Sequence, residues 1–168
     1  MYIYQDKVTS PKEKLKYLNF NWEDKSVVEL GCNIGKLGVY VLEQGAKSYK
    51  GYDIDKNMIE VGRERYGIDI EQMDIKQGEF EADVVVAMAL FHHLKEPDLT
   101  KVLGSIKSEE LIFEVPTGSN DVGLYQIRDV SYYQELVEQR YGKVLEIAKS
   151  GATNDPFNYR TIFYCKKK

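Results

Sequence analysis

The sequence predicts a three-layer α/β/α domain on a doubly wound, seven-stranded, mostly parallel sheet whose last strand runs antiparallel. Three observations carry that expectation. Short apolar runs alternate with stretches of helical periodicity from residue 26 to residue 141, the order that parallel strands joined by crossover helices require. The run ADVVVAMA, residues 82–89, is apolar without alternation behind Asp83, as suits a central strand covered on both faces. The run SVVELGCNIGKLG, residues 26–38, reads as strand, glycine turn and helix, an arrangement in which backbone N–H groups at the helix start can face a ligand.

The elements follow in order. Ser10-Pro11-Lys12-Glu13 carries the N-cap and first-turn proline of a helix start, with Leu15 and Leu18 on one side, and predicts a leading helix of about ten residues. Val27 and Val28 begin the first strand. Leu37, Tyr40, Val41 and Gln44 then mark a helix face that Gly45 ends. Residues 49–53, YKGYD, form a second strand ending in an acid, and Asp55 caps a helix through Met58, Gly62, Arg65 and Tyr66. Ile68 to Ile70 is a brief third strand and residues 82–89 the fourth. LFHHL, residues 90–94, leads to a helix from Pro97 with Leu99, Val102, Leu103 and Ile106 on one face. Leu111 to Val115 is the fifth strand, which Pro116 should end. Residues 116–128 read as a loop, Val130 to Tyr141 as a helix, and Lys143 to Ala148 with Asn158 to Cys165 as two closing strands.

Composition sets the limits. The chain has 168 residues, 43% hydrophobic and 30% charged, and no apolar run nears the ~20 residues of a membrane span. One domain is expected over residues 1–168, with 1–25 a leading helix segment and 26–168 the core. The N-terminus lacks the basic start and apolar middle of a signal peptide, so a cytoplasmic location is expected and no membrane partner. Cys32 and Cys165 lie far apart without ligand spacing, which predicts no metal site and two buried thiols. The net charge of −4 gives no general attraction to nucleic acid, although RNA stays open as a partner, as does the oligomeric state.

Ordered along the chain, these residues resemble the class I S-adenosylmethionine-dependent methyltransferases, whose fold is Rossmann-like. Glu29, Gly31 and Gly35 match that family's acid-and-glycine motif, with Asn33 where a middle glycine usually stands; asparagine tolerates the left-handed backbone such a turn needs. Asp53 stands at the second-strand acid, about 20 residues on, where a carboxylate accepts both ribose hydroxyls. Asp74 stands at the acid after the third strand, which the resemblance places against the adenine amino group. It further implies that the Ile75 backbone and the side chain of Ile54 or Asp55 border the adenine ring, that Glu29 holds the methionine ammonium, and that ADVVVAMA with LFHHL lies under the methionine and faces the acceptor. The implied cofactor is S-adenosyl-L-methionine and the implied reaction a methyl transfer to a small-molecule, peptide or RNA nucleophile, in which the protein aligns the reactants and strips water from them.

His92 and His93 are the only histidines in the chain; both follow the fourth strand and are the candidate bases if the acceptor must lose a proton. Packing without chemistry is the plainer reading of each. The acceptor should be chosen by residues 116–128 and 149–160, where Tyr125, Arg128 and Tyr159 are the candidate contacts and Phe157 and Arg160 offer similar chemistry. The segment after the fourth strand lacks the Asn/Asp-Pro-Pro-aromatic signature of amino methylation on DNA bases. Two other classes stay open. A non-catalytic methyltransferase-like module or activator would have no need to keep Glu29, Asp53 and Asp74. A nicotinamide-dependent oxidoreductase would share a glycine turn and a later acid but has no use for Glu29.

Overall fold

A computed structural model of the chain describes residues 10–16, 18–117, 128–149 and 159–168. Its elements are α1 (Pro11–Leu15), β1 (Ser26–Leu30), α2 (Lys36–Glu43), β2 (Ser48–Asp53), α3 (Lys56–Tyr66), β3 (Ile70–Gln72), β4 (Val84–Met88), α4 (Glu96–Ser105), β5 (Glu110–Thr117), α5 (Val130–Arg140), β6 (Gly142–Lys149) and β7 (Tyr159–Lys167). The strands form one seven-stranded sheet in the order β3-β2-β1-β4-β5-β7-β6. β1 to β5 pair in parallel, and β7 enters antiparallel between β5 and β6. The strand order reverses between β1 and β4, which opens a crevice at their carboxyl ends.

Both faces of the sheet are buried, which is why β4 reads as an unbroken apolar run. Val85 and Ala87 pack with Phe113, Leu103 of α4 and Tyr133 and Val137 of α5, while Val84 and Val86 pack with Leu15 of α1, Leu37 and Val41 of α2 and Ile59 of α3. Asp83 is structural. At the amino edge of the sheet its carboxylate accepts both the N–H and the hydroxyl of Ser26, at 2.7 Å each, and joins the starts of β1 and β4.

Three element boundaries differ from the expectation. α1 runs five residues rather than about ten: the Leu18 N–H turns back to the Leu15 carbonyl at 2.9 Å, and the chain leaves the helix so that Leu18 and Trp22 reach the core. β3 begins at Ile70, after Gly67 has ended α3 in a left-handed conformation. β5 continues through Pro116 to Thr117. The Glu114 carbonyl accepts from Ala89 on the β4 side, so Pro116, two residues on, presents its nitrogen to that same side, where pairing with β4 has ended at Glu114; β7 holds the other side. A proline fits where no N–H is required.

Most of the expected acceptor loop 116–128, with Tyr125, lies outside the described residues, as does Phe157. Among the described residues no helix is long and apolar enough to cross a membrane, and no cluster of three or more His, Cys, Asp or Glu side chains could hold a metal ion. Cys32 and Cys165 are both buried.

Candidate active site

The site is built at the carboxyl edge of β1, β2 and β4, starting from the turn after β1. Gly31, Asn33 and Gly35 all have positive φ, at 73°, 51° and 76°, so the chain coils tightly between β1 and α2. Asparagine at 33 serves because it is among the side chains that visit this region most readily. Glycine at 35 serves a second need, since a Cβ there would stand 2.2 Å from Ile68 Cδ1. The amides of this turn do not greet a ligand as the sequence suggests. Gly31 and Cys32 donate to the Tyr52 carbonyl at 2.8 and 3.0 Å, Gly35 donates to the Cys32 carbonyl at 2.8 Å, and Asn33 donates to Asp53 Oδ2 at 2.7 Å. They clamp the turn to the end of β2 and leave the recognition chemistry to side chains.

Those side chains converge on a cavity of about 510 Å³. Glu29, Gly31, Asn33, Asp53, Ile54, Asp74, Ile75 and His93 all line it, so the sheet brings together every predicted cofactor residue except Gly35, which shapes the turn from behind, and one of the two histidines. Glu29 is 2% exposed and accepts a short hydrogen bond from the Tyr49 hydroxyl. Burial pushes its carboxyl up to about 8, with the Asp53 charge adding to the rise and the Tyr49 bond and Lys14 opposing it. Asp53 accepts from the Asn33 N–H and, through Oδ1, from the Asp55 N–H at 2.9 Å; each oxygen keeps a lone pair. Asp74 accepts from the Lys76 N–H at 3.0 Å and caps the single turn Ile75–Gln77, so it is both a local cap and a cavity wall. Ile54 is 68% exposed at the rim, whereas Ile75 is buried. The Asn33 side-chain carbonyl is buried and has no hydrogen-bond partner among the described residues.

The histidines separate. His93 lines the cavity. His92 is 4% exposed and lies outside the cavity lining, its ring centroid 4.1 Å from that of His93. Burial, with the charges of His93, Arg160 and Lys14, lowers His92 to about 3; burial and Arg160 also lower His93. Both rings are therefore neutral near pH 7. Arg128 stands away from the cavity lining, bridged to Thr117 with its guanidinium 5.7 Å from the Tyr132 ring, which argues against its expected acceptor contact. Tyr159 pairs with Thr117 at the start of β7, and its side chain lies outside what the structure describes.

Met88, Ala89 and Leu90 line the cavity after β4, where Ala89 takes a positive φ of 56°, within the stretch that the resemblance puts under the methionine. Pro11 and Lys14 reach the cavity from α1, and no local signal announces them. Glu114, outside the lining but bonded to Lys14 at 2.8 Å, does carry one, since an acid in the middle of LIFEV must find a cation once buried.

Comparison with known proteins agrees with this geometry. Residues 27–108 match the family model described as a methyltransferase domain. At the level of the fold, a putative S-adenosylmethionine-dependent methyltransferase from Listeria monocytogenes superposes with a TM-score of 0.73 at 18% identity, over 94% of this chain and 97% of that one. The chain folds as a class I methyltransferase domain. Magnesium protoporphyrin IX methyltransferase from Synechocystis, solved with bound S-adenosylhomocysteine, shares this methyltransferase fold with a TM-score of 0.75 at 14% identity, over 88% of this chain and 76% of that one. In sequence, the chain is 43% identical over 81 residues to a ribosomal protein L11 methyltransferase of Haemophilus influenzae, which is 44% of this chain and 28% of the relative. A second relative of that name, from Photorhabdus laumondii, is 33% identical over 96 residues, 52% of this chain and 31% of the relative. The chain therefore spans less than a third of the length of these two relatives.

Proposed function

We propose that this domain binds S-adenosyl-L-methionine and transfers its methyl group to a nucleophile held beside His93. One observation carries the reading: three carboxylates from the ends of β1, β2 and β3 face a single cavity of about 510 Å³. The cofactor has three separated donors to match them, an ammonium, a ribose diol and an adenine amino group. Glu29 would take the ammonium, with the unpartnered Asn33 carbonyl close by in the same wall; Asp53 would take the diol with its remaining lone pairs; Asp74 would take the adenine amino group, with Ile54 and Ile75 against the ring. Once bound, the cofactor supplies a sulfonium-activated methyl group for in-line transfer.

The protein's share is placement and dryness. Met88, Ala89, Leu90 and Leu94 line the same cavity as His93 and keep water from the reacting atoms. A neutral His93 can accept a proton from an acceptor that must lose one; His92, packed behind it, cannot reach the acceptor and supports the ring instead. The family match covers Glu29, Asp53, Asp74 and both histidines and stops at residue 108, so it supports the cofactor half of the cavity and leaves the acceptor to the residues outside it. The relatives' name makes a protein or RNA-associated acceptor one candidate and small molecules another. The acids that contact the cofactor argue against a nicotinamide enzyme, which has no use for Glu29.

Calorimetry and thermal melts with S-adenosylhomocysteine and with NAD test the reading. S-adenosylhomocysteine should bind with one-to-one stoichiometry and raise the melting temperature. Stabilisation by NAD alone, or heat from neither ligand, overturns it.

A further inference from the structure

Glu29 lines the cavity, and behind it stands a side chain that does not. Tyr49 of β2 is 6% exposed and lies outside the cavity lining, and its hydroxyl donates to Glu29 Oε2. Two glycines make room for it. A Cβ on Gly38 of α2 would stand 2.4 Å from Tyr49 Cε1, and one on Gly51 of β2 would stand 2.6 Å from the Tyr49 hydroxyl oxygen. Neither glycine has a positive φ, so what each supplies is space, in a helix and in a strand where glycine costs stability. The ring therefore fills a slot between α2 and β2, and its hydroxyl crosses to β1, where Glu29 is paired with Gly51.

Phenylalanine would fill that slot as well. The hydroxyl adds a donor to a carboxyl that is almost wholly buried, and a hydrogen bond to the charged form favours that form. It occupies Oε2 and leaves Oε1 for the cavity that Glu29 lines. The other groups around Glu29 do not replace it. Asp53 of β2 opposes its ionisation, and Lys14 of α1 favours it by charge while its Nζ is bonded to Glu114. The Cys32 thiol, beside the hydroxyl, is kept protonated by burial. β4 sets Val86 opposite Glu29, and Lys36 at the start of α2 lines the same cavity.

Resting on the methyltransferase reading, we propose that Tyr49 is a positioning residue of the methyl-donor site: its hydroxyl fixes the Glu29 carboxyl, supports its ionised form and leaves the second oxygen to the ammonium of the cofactor. Gly38 and Gly51 belong to the same device, because a side chain at either would displace the ring.

The test is calorimetry of S-adenosylhomocysteine binding from pH 6 to pH 9 on the wild type and Tyr49→Phe, with urea melts of the empty proteins over the same range. The ratio of the two affinities cancels the titration of the ligand itself. Losing a donor to the ionised carboxylate moves its titration up by about one pH unit, so Tyr49→Phe should bind about tenfold more weakly at pH 7 and only about twofold more weakly at pH 9. A loss of packing alone weakens binding by one factor at every pH; that result, or an unchanged affinity, overturns the proposal. The melts read the same coupling without ligand. Wild-type stability should level off above about pH 8, where Glu29 is ionised in the fold, whereas Tyr49→Phe should go on losing stability to about pH 9. In a Glu29→Gln background, Tyr49→Phe should change stability equally at every pH. Parallel stability curves for the wild type and Tyr49→Phe overturn the proposal, whereas diverging curves with no binding of S-adenosylhomocysteine sink the methyltransferase reading alone.

Discussion

Glu29→Gln should make the ligand-free domain more stable and the cofactor site worse. Glu29 is buried at the end of β1 with a neutral donor, Tyr49, as its near partner, and burial raises its carboxyl from the ordinary 4.5 to about 8. For an acid raised on folding, stability is fully present below about pH 4.5, where both states are protonated, and is lost as the pH climbs through about 8. Each pH unit inside that window costs about 1.4 kcal/mol, so by pH 7 the mismatch amounts to about 3 kcal/mol. Glutamine keeps the shape and the carbonyl that accepts from Tyr49 but never ionises. Urea melts at pH 5 and pH 7 should therefore show variant and wild type nearly matched at the lower pH. At the higher pH the variant should lead by about 3 kcal/mol, a midpoint shift of about 1–2 M. Calorimetry should show the converse in binding: wild-type affinity for S-adenosylhomocysteine rises with pH by close to about tenfold per unit up to about pH 8 as one proton is released. The variant should bind weakly with no such slope. If Glu29→Gln gives no stability gain at pH 7, or the gain does not change with pH, Glu29 is ionised in the empty fold and the reasoning fails.

Other substitutions probe the neighbouring parts. Asp53→Ala removes the diol acceptor together with the caps on the Asn33 and Asp55 amides; it should weaken S-adenosylhomocysteine binding by roughly 10–100-fold and cost about 1–2 kcal/mol of stability, read by calorimetry and urea melts. Gly35→Ala should cost about 2–4 kcal/mol, from its positive φ and its clash with Ile68 Cδ1; adding Ile68→Val should recover the clash and leave the backbone part. Glu114→Gln strands Lys14 and Arg160 beside a neutral group and should lower stability by about 3–5 kcal/mol, whereas Glu114→Asp should lose less. With the true acceptor, His93→Gln should lower kcat and leave S-adenosylhomocysteine affinity unchanged; an unchanged kcat removes His93 from proton transfer.

The sequence disclosed what local chemistry controls. An acid at the end of a short apolar run, a glycine turn and a capped helix are encoded within a few residues of each other, so Glu29, Asp53 and Asp74 could be placed at strand ends before any coordinates. The order of β1 to β5 followed from the alternation of periods. Local signals failed where distant contacts decide. Pro116 looks like a strand terminator, yet β7 supplies the pairing and the end of β4 removes the need for an N–H. The turn amides look available until the end of β2 is placed against them. His92 and His93 are indistinguishable as neighbours in sequence, and the single turn Phe91–His93 sends one to the cavity and one to the core.

The same division runs through the cavity and bears on what can change in such a domain. The half proposed for the cofactor is made by residues 29–75, consecutive units of strand, turn and helix that fall inside the family match. The rest of the cavity lining joins Pro11 and Lys14 of α1 to Met88, Ala89, Leu90, His93 and Leu94 after β4, and Lys14 is held there by Glu114 of β5, 100 positions away. Substitutions in the first half alter the turn geometry on which Asp53 and Glu29 depend and so carry a cost in stability as well as binding. Under the proposed reading, a domain built this way keeps its methyl donor while the remaining lining changes, and S-adenosylhomocysteine affinity should follow positions 29, 53 and 74, which line the cavity within the family match.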